Sequence, residues 1–177
     1  MSNELSENIL AFYQGRSPNS SGRMLEDIWL WDCQKLEYTH DYIQWLFPLK
    51  EKSRFNQNAP ILNDEVIQSF RRDEQLRLRL RKSLEVMLQF YGLQCNEIDD
   101  TGVEITKSDN YQERKLNWIE EGNHNYLRLT RILTSLRLLG LEDYAQALFK
   151  CLNKIYIEEN KNIGSKTYSY WESAAEG

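Results

Sequence analysis

LEDIWLWDCQKLEYTHDYIQWLFP, residues 25–48, holds three of the five tryptophans of this chain, at Trp29, Trp31 and Trp45. It also holds His40, one of two histidines, and Pro48, one of three prolines. No other stretch combines so much aromatic area with so many carboxylates. Burying one large apolar side chain contributes about 1.5–3 kcal/mol, so these residues are expected to form the centre of the core. On a wheel of about 100° per residue, Leu25, Ile28, Trp29 and Leu36 share one arc, which predicts a helix of about 15 residues from Arg23. Asp32 falls inside that arc, where a carboxylate needs a partner or an opening. A second helix is expected from Thr39, with Thr39 as N-cap and Asp41 in the first turn, where negative charge is favoured. Tyr42, Ile43, Leu46 and Phe47 make its inner face, and Pro48 closes it.

Upstream, residues 3–14 read as a short amphipathic helix with Leu5, Ile9, Leu10 and Tyr13 inward, ended by Gly15. RSPNSSG at 16–22 is turn chemistry. Downstream, a loop runs to Leu62, and Asn63 followed by Asp64 and Glu65 starts a helix. A long helix follows over about 73–91, with Gly92 after its last residue. Leu76, Leu80, Leu84, Met87, Leu88 and Tyr91 form its stripe, and Arg77 lies within that stripe. Residues 93–110 lack helical periodicity, and the Asp99-Asp100-Thr101-Gly102 turn signal admits a short exposed hairpin near residues 93–107. Helical pattern resumes over 111–121, over 123–139 before Gly140, and over about 142–159. From Lys161 the tail is polar and small, and is expected to fray, apart from Tyr168, Tyr170 and Trp171.

The reading is therefore an all-α, single-domain helical bundle of about six to eight helices over residues 1–160, followed by a polar tail over 161–177. At 177 residues the chain is long enough for one genuine core. Its formal charge of −5 opposes general nucleic-acid binding, which rests on neutralised phosphates. The acidic N-terminus is not a secretory signal, and no run approaches the ~20 apolar residues of a membrane span. Cys33, Cys95 and Cys151 are far apart and form no CxxC pair, as expected of reduced thiols in a cytoplasmic protein. There is no GxSxG, no glycine-rich phosphate loop and no HExxH, so neither a cofactor nor a metal is expected.

With these stretches laid out, the chain resembles the conserved region of the opioid growth factor receptor family. The matching segments are LEDI at 25–28, HDYIQWLFPLKE at 40–51, MLQFYG at 87–92 and HNYLRLTRILTSLRLLG at 124–140, with the Glu142-Asp143-Tyr144 helix start after them. In order and spacing they cover residues 12–156. The resemblance implies a receptor-like role: animal members are described as receptors for an enkephalin peptide, associated with the nucleus and its envelope, and carry long C-terminal extensions. This chain runs only about 20 residues beyond the matched region, so it is expected to be the single-domain form without that extension. The resemblance carries no ligand-contacting residues with it.

Three sets of residues are candidates for a site. His124, Arg128, Arg131 and Ser135 follow at spacings of four, three and four, within about 60° of one helix side. That stripe suits a carboxylate or phosphate, or else a solvated or internally paired face. Asp32 and Arg77, each inside an apolar stripe, are expected to pair as a helix-docking ion pair or as the floor of a polar pocket. His40 and Asp41, with Gln44 and Trp45, could form an acid–base pair, or His40 could simply sit at a helix junction with Trp45 as core or pocket wall. The leading functional expectation is a non-enzymatic module that binds a peptide or small anionic ligand. Its ligand-binding residues would be Asp32, His40, Asp41, Trp45, Arg77, His124, Arg128 and Arg131. The alternatives are an enzyme of unrecognised class using His40, Asp41, His124 and the arginines, and a structural partner that dimerises through the aromatic tail.

Overall fold

The computed structural model describes residues 2–177, and the side chains of all of these except 2–5 and 101. The inward packing expected of Leu5 lies outside the described residues. The chain forms two compact units, Met1–Ser83 and Leu84–Gly177.

In the first unit, α1 (Ser2–Tyr13) buries Ile9, Phe12 and Tyr13. Their spacing puts all three on one helix side. Gly15 ends the helix at φ +72°, and a Cβ there would lie 2.7 Å from Glu26 Oε1. The following turn is built on Asn19, whose Oδ1 accepts the backbone N–H groups of Ser21 (3.0 Å) and Arg23 (2.9 Å).

The aromatic stretch then forms three short helices, α2 (Leu25–Trp29), α3 (Cys33–Tyr38) and α4 (Ile43–Leu46), rather than the two expected. Asp32 is the reason for the first break. Its Oδ1 accepts the Lys35 backbone N–H at 2.8 Å, so it caps α3 instead of lying within a continuous helix. Short carboxylates compete for backbone N–H groups and so favour N-caps over helix interiors. Thr39 is not the expected N-cap. It is the extended residue that closes α3, and α4 begins only at Ile43.

The core of this unit is made by α1, Leu25, Ile28, Leu36, residues 42–47 and α5 (Asp64–Arg72), which buries Val66, Ile67 and Phe70. Asn63 caps α5 by accepting the Val66 N–H at 2.9 Å, as its sequence signal indicated. α6 (Glu74–Tyr91) begins in this unit. Its Ser83 is fully buried and accepts the indole N–H of Trp29 at 2.9 Å, with the Tyr13 hydroxyl 3.0 Å away. The Tyr13 hydroxyl also donates to the Leu46 carbonyl.

The second unit takes the end of α6 into an antiparallel hairpin, β1 (Leu93–Ile98) and β2 (Gly102–Lys107), registered from Leu93↔Lys107 to Ile98↔Gly102. The protein is thus mainly α with a small two-stranded sheet, and not all-α. Ten α-helices are present among the described residues, against the six to eight expected. α7 (Tyr111–Arg114) is a single turn followed by a 3-10 turn, shorter than the 111–121 helix the pattern suggested. α8 (Asn125–Leu138) and α9 (Glu142–Ile163) pack on each other and on α10 (Ser165–Glu176).

α10 corrects the expectation of a frayed tail. Trp171, Ala174 and Ala175, at i, i+3 and i+4, are all buried. The last carbonyls of α10 receive side-chain donors, Arg137 Nε to Ala174 O (3.0 Å) and Gln146 Nε2 to Ala175 O (2.9 Å). Such donors satisfy groups that a helix end leaves open. Among the described residues, no helix is long and apolar enough to cross a membrane.

The expected concentration of the core in residues 25–48 holds for the first unit only. There Trp45 is 2% exposed, while Trp29 and Trp31 are half-buried. The fully buried tryptophans are Trp118 and Trp171, both in the second unit. Trp118 Nε1 donates to the Tyr91 carbonyl at 3.0 Å, and Arg114 Nε donates to that of Phe90 at 2.7 Å, so two side chains close the end of α6.

Candidate functional site

Five of the residues singled out in the sequence lie in the first unit. Asp32 and Arg77 are not partners there. The exposed Asp32 caps α3, as above, while Arg77 Nη1 donates to the Phe70 carbonyl (3.0 Å) and to that of Arg71, at the end of α5. Each charge therefore satisfies a nearby helix terminus. The wheel misplaced Asp32, because α2 and α3 are separate helices, whereas Arg77 lies in the first turn of α6 and reaches the end of α5 from there.

Asp41 is paired away from His40. Its Oδ1 receives Arg23 Nη1 at 2.6 Å and its Oδ2 receives Ser21 Oγ at 2.7 Å. Partial burial raises the Asp41 carboxyl, but the hydrogen bonds from Ser21 and Arg23 and the guanidinium charge outweigh it and hold the group below its usual range. Arg23 also lies over the Trp31 ring at 5.1 Å, with Lys35 over the same ring at 4.6 Å and Tyr42 edge-on at 5.3 Å. His40 is exposed, and its carbonyl accepts Gln44 Nε2 at 3.2 Å. Trp45 packs edge-on against Phe12 at 5.3 Å, and its indole N–H is buried without a hydrogen-bond partner. The acid–base reading of His40 with Asp41 thus meets a carboxylate already engaged by Arg23 and Ser21.

His124, Arg128 and Arg131 lie in the second unit, in the order the spacing predicted. His124 is exposed at the start of α8, Arg131 is half-buried, and Arg128 is only 6% exposed. Asn125 and Ser135, on the same helix, are fully buried. Asn125 organises the upper end of this row. Its Oδ1 accepts the Tyr91 hydroxyl at 3.3 Å and lies 3.5 Å from Arg128 Nη1, while its N–H and Nδ2 both donate to Asn123 Oδ1. His124 Nε2 lies 3.5 Å from Asn125 Nδ2. The stripe is therefore not a uniform surface face. It runs from an exposed imidazole through a buried amide and guanidinium to a fully buried hydroxyl. Sequence reasoning missed Tyr91 and the link that Asn125 makes from it towards Arg128. Asn125 at three residues before Arg128 was the available signal.

The sequence profile of the opioid growth factor receptor conserved region matches residues 2–174. The chain belongs to the opioid growth factor receptor family. It is 37% identical over 175 residues to the mouse opioid growth factor receptor-like protein 1, covering 96% of this chain and 36% of that protein. The Xenopus tropicalis protein of the same name is 38% identical over 145 residues, 80% of this chain and 27% of that one. The human opioid growth factor receptor is 39% identical over 150 residues, 80% of this chain and 21% of that one. The chain thus spans about a third or less of these relatives. No solved structure matches it. Within the family, the α8 row described above falls in the HNYLRLTRILTSLRLLG segment, inside the region matched by the profile.

Proposed function

We propose that this member of the opioid growth factor receptor family is a non-enzymatic binding module that receives the anionic group of a peptide or small ligand along the His124–Arg128–Arg131 face of α8. The observation that carries the reading is Arg128, a guanidinium 6% exposed whose row continues outward to the exposed His124 and the half-buried Arg131. A guanidinium stays protonated at any physiological pH and presents a planar fork that fits a carboxylate or phosphate. Arg128 is the buried middle of this face, with His124 exposed on one side and Arg131 half-buried on the other. The relatives' name, opioid growth factor receptor, supports an opioid ligand, and if that ligand is a peptide its terminal carboxylate supplies the anion.

The test is calorimetric titration with an opioid pentapeptide, once as the free acid and once as the C-terminal amide. The acid is expected to bind and the amide to bind at least about tenfold more weakly. Arg131→Ala should abolish binding while the melting temperature stays within about 4 °C. Equal binding of acid and amide, no binding of either, or unchanged binding by Arg131→Ala would overturn the proposal.

A further inference from the structure

The loop between α4 and α5 displays an aromatic side chain that the first unit does not use. The base of the loop is closed by pairing of Leu49 with Ile61 and by the Leu62 N–H, which donates to the Leu49 carbonyl at 2.8 Å. Its tip is fixed as well. The buried Ser53 accepts the N–H groups of Phe55 (3.2 Å) and Asn56 (3.1 Å) on its hydroxyl oxygen, and Asn56 Oδ1 accepts that of Asn58 at 3.1 Å. On this held turn Phe55 is 86% exposed. Lys52 and Arg54 beside it are exposed, and neither makes an ion pair or side-chain hydrogen bond among the described residues. Opposite charge lies on the same surface. Lys50 Nζ reaches Asp64 Oδ1 at 3.1 Å, so the base of the loop abuts the start of α5. There Asp64, Glu65, Gln68 and Arg72 border an open depression of about 460 Å³. The Glu65 carboxylate and the Arg72 guanidinium are exposed, and neither is engaged by another side chain among the described residues.

We propose that this patch is a self-complementary interface through which two copies of the chain form a two-fold dimer. The Phe55 loop of each copy lies in the α5 depression of the other, with Phe55 over the Arg72 guanidinium and Arg54 against Glu65. A two-fold contact needs one patch that fits itself, and a cationic loop beside an acidic helix start meets that need. Aromatic and arginine side chains are the groups that most often anchor such contacts, and a guanidinium is attracted to an aromatic face. An anionic lipid surface or a uniformly acidic partner fits less well, because Asp64 and Glu65 would meet it with like charge. One loop and one helix make a small interface, so the dimer is expected to be weak and to form with rising concentration. The inference is independent of the α8 proposal, with which it shares no residue.

The experiment is sedimentation equilibrium of the full chain from about 10 µM to about 1 mM, the range over which a weak self-contact becomes populated. The dimer fraction should rise across that range, and Phe55→Ser should weaken association at least about tenfold. Arg54→Glu and Glu65→Arg should each abolish the dimer by setting like charges together. The double variant Arg54→Glu with Glu65→Arg should restore it, because the swapped charges meet again. All three positions are exposed, so circular-dichroism melts of every variant should match the parent and separate loss of contact from loss of fold. A monomer at every concentration, a dimer indifferent to Phe55→Ser, or a charge swap that fails to restore association would overturn the proposal. So would a monomer that cosediments with vesicles of phosphatidylserine and phosphatidylcholine through Phe55, a result that assigns the loop to a lipid surface instead.

Discussion

Trp171 donates its indole N–H to the backbone carbonyl of Tyr126 at 3.1 Å, and the two rings meet edge-on with centroids 5.8 Å apart. This one relationship joins the last helix, α10, to the first turn of α8. It makes the C-terminal stretch part of the core of the second unit.

Trp171→Ala is expected to destabilise that unit by about 3–5 kcal/mol, the usual cost of truncating a fully buried aromatic side chain. Trp171→Phe keeps most of the area and loses one hydrogen bond, so it should cost about 0.5–1.5 kcal/mol, because the Tyr126 carbonyl still accepts the Thr130 hydroxyl at 3.1 Å. Urea unfolding followed by circular dichroism measures both. A loss below about 0.5 kcal/mol for the alanine variant would show that α10 does not contribute to the fold.

Asp32 and Arg77 should behave as independent residues. Asp32→Leu removes an N-cap and should cost about 0.5–2 kcal/mol. Arg77→Leu removes donors to the end of α5 and should cost about 1 kcal/mol. With no contact between them, the double variant should equal the sum within about 0.5 kcal/mol. A double-mutant cycle in denaturant gives the coupling directly, and recovery of stability in the double variant would instead mark a buried ion pair.

Asp41 gives the first unit an acid-sensitive element. Its carboxyl is held below its ordinary value in the folded chain, so its contribution is present above the unfolded value, near 3.8, and is lost as pH falls through the lower folded value. The Arg23–Asp41 pair is substantially solvated, with side chains 32% and 43% exposed, so solvent screening limits the effect to under about 1 kcal/mol. Asp41→Asn should therefore lower stability slightly at neutral pH and make the loss below pH 4 shallower than in the parent. Parallel melts at neutral and acidic pH test this, and an identical acid slope in the two proteins would refute it.

The sequence by itself determined the helical class, the punctuation and the family. Asn63 before Asp64 and Glu65, Gly15 and Gly92 after helix ends, and the Asp99–Gly102 turn act through local backbone chemistry, and all of them sit where their local signals put them. It could not decide what each face meets. A helical wheel orders residues around one axis, so it treated 23–37 as continuous and turned a capping carboxylate, Asp32, into a core charge. For the same reason it placed His124, Arg128 and Arg131 on one side but left open that Arg128 is buried and His124 exposed. Only the tertiary structure decided that Trp118 and Trp171 carry the second core and that the tail is a helix. Burial is a property of the neighbours a side chain acquires across the fold, and a local pattern of polar and apolar residues does not contain those neighbours.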